Sequence, residues 1–155
     1  MAVHLIRHAD AGRRGSWDGP DAERPLVTAG LSQARALALE LAPASPQRIL
    51  SSPLVRCVQT VQPLADAVGV VVEPHPALAE GAEIEESWAL LEALASDGHA
   101  VLCSHGDVIP PLLDQLARRG VPVLGSDRGV AKGSVWTIEA APGGRLTTAR
   151  LGYAP

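Results

Sequence analysis

The sequence predicts a three-layer α/β fold, with a mostly parallel sheet that carries helices on both faces. Short apolar runs typical of buried strands alternate with longer segments of helical periodicity, and turn-forming glycines and prolines separate them. The chain has 155 residues, of which 46% are hydrophobic, so it is long enough to bury a substantial core. We therefore expect a single domain over residues 1–155.

The first half of the chain contains two strand–helix pairs. Residues 2–7 predict the first strand, and Thr28 is placed to cap the helix that follows a polar, glycine-rich loop. Residues 47–51 predict the second strand, and Pro53 opens the second helix. Pro63 falls inside that helix and is expected to kink or split it. The apolar face of the first helix comprises Leu31, Ala34, Leu37 and Leu41.

The second half continues the same alternation. Residues 69–73 predict a third, buried strand, residues 83–96 a helix with acids in its first turn, and residues 99–104 a fourth strand. Prolines at 110 and 111 fit only the opening turn of the next helix. Residues 133–151 predict two strands around a Pro-Gly-Gly turn, expected at a sheet edge.

Composition and charge exclude several classes of function. A formal net charge of −4 argues against nucleic-acid binding, and no apolar stretch approaches the length of a membrane span. The N-terminus shows no signal-peptide pattern, so we expect a cytoplasmic protein. The sequence leaves the oligomeric state open between a monomer and a homodimer. Cys57 and Cys103 lack the spacing of a metal site or a redox motif, so free thiols are expected. No metal or other cofactor is expected.

Polar residues follow each predicted parallel strand, where ligands of open α/β sheets bind. Arg7 and His8 follow the first strand, Arg56 the second, Glu80 lies in the loop after the third, and His105 follows the fourth. We expect these side chains to meet at one edge of the sheet.

This set of residue types suits phosphoryl transfer. An arginine fork matches two phosphoryl oxygens, and a neutral imidazole can attack phosphorus while its other nitrogen keeps a proton. A second histidine and backbone N–H groups after Gly106 can stabilise the charge on the transferring group. A carboxylic acid can protonate the leaving group and then activate water.

Four segments resemble the histidine phosphatase (phosphoglycerate mutase-like) superfamily. "LIRHADAG" resembles its RHG-type signature, with Ala9 in the place of the usual glycine. "ERPLVTAG", "SSPLVRCVQT" and "LCSHGD" resemble the later segments of the family, in the same order. The resemblance implies the phosphoglycerate mutase-like fold and a metal-independent phosphatase with a covalent phosphohistidine intermediate.

The resemblance also implies individual roles. His8 becomes the nucleophile, while Arg7, Arg56 and His105 form the phosphate pocket together with Gly106. His105 is thus both a catalytic and a phosphate-binding residue.

Two assignments keep an alternative. Glu80 lies at the usual place of the family's general acid, but Asp107 competes, because a more distant acid-phosphatase branch has its proton donor beside the second histidine. Arg24 is assigned to substrate binding, although it can equally pair with Asp21 or Asp18.

Size and compactness resemble the SixA-type branch, which removes phosphate from phosphohistidine on proteins, so a phosphorylated protein is the expected partner. The alternative is a small phosphorylated metabolite, because the spacing also resembles phosphatase-like domains fused to nudix hydrolases. In that case Arg13, Arg14 or Lys132 would reach additional phosphates; otherwise the two arginines are solvated loop charges. A non-catalytic phosphate-binding domain is the remaining alternative.

Overall fold

One mixed sheet of seven strands forms the centre of the fold. The computed structural model describes residues 1–126 and 131–153. The strands are β1 (Ala2–Arg7), β2 (Arg48–Ser51), β3 (Val72–Pro74), β4 (Ala100–Ser104), β5 (Val123–Leu124), β6 (Val135–Ala140) and β7 (Leu146–Tyr153). Their spatial order is β3-β2-β4-β1-β6-β7-β5. Strands β1 to β4 pair in parallel, whereas β6 runs antiparallel to both β1 and β7.

Four helices cover the two faces of the sheet. They are α1 (Thr28–Leu41), α2 (Val55–Val68), α3 (Ile84–Ala95) and α4 (Ile109–Arg118). Side chains alternate between the faces of β1, so Leu5 joins the core under α3 and α4, while Ile6 joins the core under α1 and α2. The predicted three-layer α/β fold with helices on both faces is confirmed.

The first helix differs from its prediction at its N-terminus. Helix α1 begins at Thr28 itself, and Val27 occupies the position before it, with no side-chain hydrogen bond that caps the helix. Ala34, Leu37 and Leu41 are buried as predicted, together with Gly30 and Ala38. Leu31 was predicted on the same face but is 40% exposed, so the prediction was wrong for this residue.

The second helix is not split. Helix α2 begins at Val55, two residues after Pro53, and continues through Pro63 to Val68. Packing on both sides of the proline accounts for this, since Val61 and Leu64 are both buried in the core between the helix and the sheet.

The third strand is neither long nor buried. Gly69 ends α2 in a left-handed conformation with φ of 73°, which leaves Val72–Pro74 for the strand. Strand β3 pairs only with β2 at the edge of the sheet, and Val71 just before it is 79% exposed. The run of three valines predicted a buried strand, but only Val70 and Val72 pack against the core, and both are only partly buried.

The two tail strands form as predicted, but β5, which the sequence did not indicate, lies outside them at the edge. Among the described residues, no helix has the length and apolar character needed to cross a membrane.

Candidate active site

A pocket of about 450 Å³ opens at the carboxyl ends of β1 and β4. Its lining combines six of the predicted site residues with four others. The predicted ones are Arg7, His8, Arg24, Glu80, His105 and Gly106; the others are Gly12, Arg14, Asp107 and Lys132. Arg56 does not line the pocket but lies fully buried behind Glu80.

The strand register sets the spacing of the two site histidines. Arg7 pairs with Ser104 as the last residue pair of the β1–β4 ladder, and the His8 N–H donates to the Ser104 carbonyl at 3.0 Å. His8 and His105 therefore follow adjacent strands at the same level. Their ring centroids lie 5.3 Å apart, with the planes at 66°.

His8 is held in one tautomer. Its Nδ1 lies 2.8 Å from the Ala9 carbonyl, and because a carbonyl oxygen only accepts, Nδ1 carries the proton and Nε2 keeps a free lone pair. Burial lowers the pKa of His8 to about 3, assisted by the charges of Arg56 and Arg7 and by His105, against the raising effect of the Ala9 hydrogen bond. The imidazole is thus neutral and nucleophilic at physiological pH.

Two carboxylates hold the buried Arg56 guanidinium. Its Nη1 donates to the Asp21 carbonyl at 2.9 Å, and its Nη2 contacts Asp21 Oδ2 at 3.2 Å and Glu80 Oε2 at 3.3 Å. Arg14 bridges the same two carboxylates from the solvent side. Burial opposes ionisation of Asp21, but the hydrogen bond from Arg24 and the charges of Arg56 and Arg14 hold its pKa below the usual value.

Arg24 pairs with Asp21, which was the predicted alternative to substrate binding. Its Nε donates to Asp21 Oδ1 at 3.0 Å, and its Nη1 donates to the carbonyls of Ala11 and Gly12. These bonds pin the loop after β1. Arg24 also lines the pocket, so its contact with substrate stays a prediction.

Gly106 leaves room for the Arg7 guanidinium. A β-carbon at this position would lie 2.9 Å from Arg7 Cζ, closer than real side chains approach. Helix α4 begins only at Ile109, so the helix N-terminus lies three residues beyond the position at which it was expected to assist.

Both candidate acids reach the pocket. Glu80 is tied to Arg14 and Arg56, whereas Asp107 Oδ2 accepts the backbone N–H of Gly81 at 2.7 Å. Asp107 therefore braces the loop that carries Glu80. The choice of general acid between them stays open.

Three residues of the site were missed or underrated. Asp21 was considered only as a partner of Arg24, and Arg14 as a solvated charge or a contact for additional phosphates, whereas the two side chains bind each other. Ser52, the last residue before Pro53, contacts His105 Nε2 through Oγ at 2.8 Å. The segment "SSP" at the carboxyl end of the predicted second strand was the available signal, because it places a serine at the edge of the sheet where the other site residues were expected.

Metal ligation has no candidate in residues 1–126 and 131–153, where no group of three or more His, Cys, Asp or Glu side chains could hold an ion. Cys57 and Cys103 are buried free thiols. Lys132 lies 3.6 Å from Asp10 at the rim of the pocket.

Known proteins of one superfamily resemble this chain. The family model for the histidine phosphatase superfamily (branch 1) matches residues 3–87. The 8-oxo-(d)GTP phosphatase of Mycolicibacterium smegmatis is 34% identical over 145 residues, which cover 91% of this chain but 45% of that protein. The chain thus spans under half of the length of that relative.

The phosphohistidine phosphatase SixA of Escherichia coli is 28% identical over 137 residues, which cover 84% of this chain and 83% of SixA. The structure of the protein histidine phosphatase SixA complexed with tungstate superposes with a TM-score of 0.76 at 22% identity, over 99% of this chain and 95% of that one. The resemblance to SixA-type proteins is confirmed, and the structural match agrees with the fold described above.

Proposed function

This chain belongs to the histidine phosphatase superfamily, and on that premise we propose that it is a metal-independent phosphatase that acts through a covalent phosphohistidine on His8. The observation that carries the proposal is the hydrogen bond from His8 Nδ1 to the Ala9 carbonyl, because it leaves Nε2 unprotonated beside two arginines and a second histidine.

In the first step, His8 Nε2 attacks phosphorus in line. The new P–N bond forms as the bond to the leaving group breaks, and Arg7, Arg56 and His105 neutralise the phosphoryl oxygens. Glu80 gives its proton to the leaving group in this scheme. Arg56 lies behind Glu80, so in this scheme a phosphoryl oxygen reaches its guanidinium by taking the place of the Glu80 carboxylate.

In the second step, water attacks the phosphorus of phospho-His8. The Glu80 carboxylate takes a proton from that water, the P–N bond breaks, and inorganic phosphate leaves with His8 neutral again. The P–N bond cleaves readily once the departing imidazole is protonated, so a phosphohistidine substrate needs less help from an acid than an ester does.

For the substrate we propose phosphohistidine on a protein. The remaining cations of the pocket are already matched by carboxylates: Arg14 by Glu80 and Asp21, and Lys132 by Asp10. A polyphosphate would have to displace these carboxylates as well, whereas a single phosphoryl group needs only Glu80 to leave Arg56. The segment between α2 and β4 holds only β3, a short 3₁₀ helix and α3, which leaves the pocket accessible to a bulky partner.

A nucleotide is the second candidate, favoured by the 34% identity to the M. smegmatis 8-oxo-(d)GTP phosphatase. Arg14 is 62% exposed and Lys132 39% exposed, so both side chains can exchange their carboxylate partners for a further phosphate.

The test compares turnover of a phosphohistidine protein, a nucleoside phosphate and 3-phosphoglycerate in the presence of a chelator. Wild type is compared with His8→Ala and with His99→Ala, a matched histidine that precedes β4 at the opposite edge of the sheet. We expect preference for the phosphohistidine protein, abolished in His8→Ala and kept in His99→Ala.

A radiolabelled phosphoryl group is also expected on wild-type protein, lost in acid and absent from His8→Ala. Preference for the nucleoside phosphate would establish the second candidate. Absence of turnover with every substrate, in a folded protein, would refute the enzyme and favour a phosphate-binding domain.

A further inference from the structure

The buried Ser52 contacts His105, the second histidine of the site, at its ring nitrogen Nε2. Ser52 Oγ lies 2.8 Å from His105 Nε2, and the Leu54 N–H donates to the same Oγ at 3.3 Å. Ser52 is fully buried and His105 is 2% exposed, so water does not compete for these hydrogen bonds.

Hydrogen accounting decides which group donates. If His105 Nε2 carried the proton, it would donate to Ser52 Oγ, and the serine hydroxyl would need another acceptor inside the core. The Cys57 sulfur is a hydrogen-bonding neighbour of Ser52, but the sulfur of a thiol is a weak acceptor. With Ser52 as donor, Oγ accepts from the Leu54 N–H and donates to His105 Nε2, so the hydrogens of both Ser52 and Leu54 have an acceptor.

Cys57 is the second neighbour of His105 Nε2. Its Sγ lies 3.5 Å from that nitrogen and 3.7 Å from the Ser104 carbonyl, which can only accept, so the single S–H has an acceptor whichever nitrogen of His105 carries the proton. The Ser52 hydroxyl is therefore the neighbour that favours a free lone pair on Nε2. A neutral imidazole with Nε2 unprotonated carries its proton on Nδ1.

His105 Nδ1 is buried and has no hydrogen-bond partner within the part of the chain that the structure describes. A buried donor without an acceptor costs free energy, and the ring lines the pocket beside His8. A phosphoryl oxygen would supply the missing acceptor at the place where negative charge develops.

We propose that Ser52 is a positioning residue that fixes the tautomer of His105 so that Nδ1–H is the donor to the phosphoryl group. The inference rests on the proposed phosphatase function, since the phosphoryl group is the acceptor it names. Ser52 does not touch the substrate and acts only through the imidazole.

The first test reads the tautomer directly. Nitrogen-15 NMR of histidine-labelled protein distinguishes protonated from unprotonated ring nitrogens, and His105→Ala identifies the signals. We expect His105 of the wild type with Nδ1 protonated and Nε2 unprotonated, and a mixture of tautomers in Ser52→Ala. A protonated Nε2 in the neutral wild-type ring would overturn the proposal. This readout needs no turnover, so it stands even if the proposed function fails.

The second test measures kcat/KM with p-nitrophenyl phosphate in chelator. Ser52→Ala is expected to lower kcat/KM about tenfold, the worth of one buried neutral hydrogen bond. The matched control is Ser51→Ala, which removes an equally buried hydroxyl that donates to a carbonyl and not to His105, and it stays within about twofold.

A double-mutant cycle separates positioning from general structural damage. In a His105→Ala background, Ser52→Ala is expected to cause no further loss, because its effect passes through the imidazole. An undiminished tenfold loss in that background would overturn the proposal. If the enzyme turns over no phosphate ester, the same cycle is measured on the affinity for inorganic phosphate.

Discussion

Addition of a single methyl group at Gly106 tests whether Arg7 must lie where the structure has it. A β-carbon there would approach Arg7 Cζ to 2.9 Å, Nη2 to 3.0 Å and Nε to 3.1 Å, whereas ordinary contact begins at 3.4 Å. The Gly106 backbone is not in the left-handed region, so Gly106→Ala brings no backbone strain. The guanidinium must therefore move by about 0.5 Å.

A misplacement of about 1 Å in a positioned group costs about 10²-fold in rate, so half of that predicts a loss of about tenfold in kcat/KM. The assay is p-nitrophenyl phosphate hydrolysis in chelator, with thermal unfolding to verify the fold. Gly15→Ala is the control, because it lies near the same pocket with nothing within 4 Å of the added carbon. A folded Gly106→Ala protein with wild-type kcat/KM would refute the reasoning that links the Gly106 backbone to Arg7 and the rate.

Three further outcomes are expected. Glu80→Gln lowers the rate of ester hydrolysis about 10²-fold but that of phosphohistidine hydrolysis far less, because the leaving imidazole is more easily protonated than an alkoxide. Equal losses on both substrates would contradict this. A larger loss of ester hydrolysis in Asp107→Asn would identify Asp107 as the general acid. Gly30→Ala destabilises the protein by about 3 kcal/mol in urea unfolding, since its β-carbon would lie 2.0 Å from the Asp10 carbonyl oxygen; a loss below about 0.5 kcal/mol would show that α1 shifts freely. Folding lowers the pKa of His8 from 6.5 to about 3, so on acidification the unfolded chain takes up a proton before the folded protein does. The free energy of unfolding therefore decreases as the pH drops below 6.5, by about 2 kcal/mol from this residue at pH 5. In His8→Gln this decrease should be smaller by that amount, and an unchanged pH dependence would contradict a buried neutral His8.

The strand ends that carry the site could be predicted from the sequence, because burial of an arginine or histidine directly after an apolar run costs free energy unless the side chain binds or reacts with something there. Arg7, His8 and His105 fall at such points, and the parallel order of β1 and β4 places them side by side. The apolar face of α1 was predicted correctly at Ala34, Leu37 and Leu41, but the exposure of Leu31 could not be predicted, since in the first turn only packing decides whether Gly30 or Leu31 is covered.

The ion pairs made by the long loop after β1 also could not be predicted from the sequence. Asp21 lies 35 residues from Arg56 and on a different element, so nothing in local spacing indicates that they bind. The same holds for Glu80, which Arg14 reaches across 66 residues of chain. Long-range contacts between loops depend on the folded geometry, whereas strand ends are aligned by a hydrogen-bond ladder.

That ladder has a consequence for how the protein can change. The backbone pairing of Arg7 with Ser104 fixes the register of β1 against β4, and this register sets the distance between His8 and His105. Lengthening the loop after β1 leaves this spacing intact, while deleting one residue within either strand would turn a histidine to the wrong face of the sheet. Exchange of the loops at the rim of the pocket between relatives should therefore change which substrate is preferred and preserve the capacity for phosphoryl transfer.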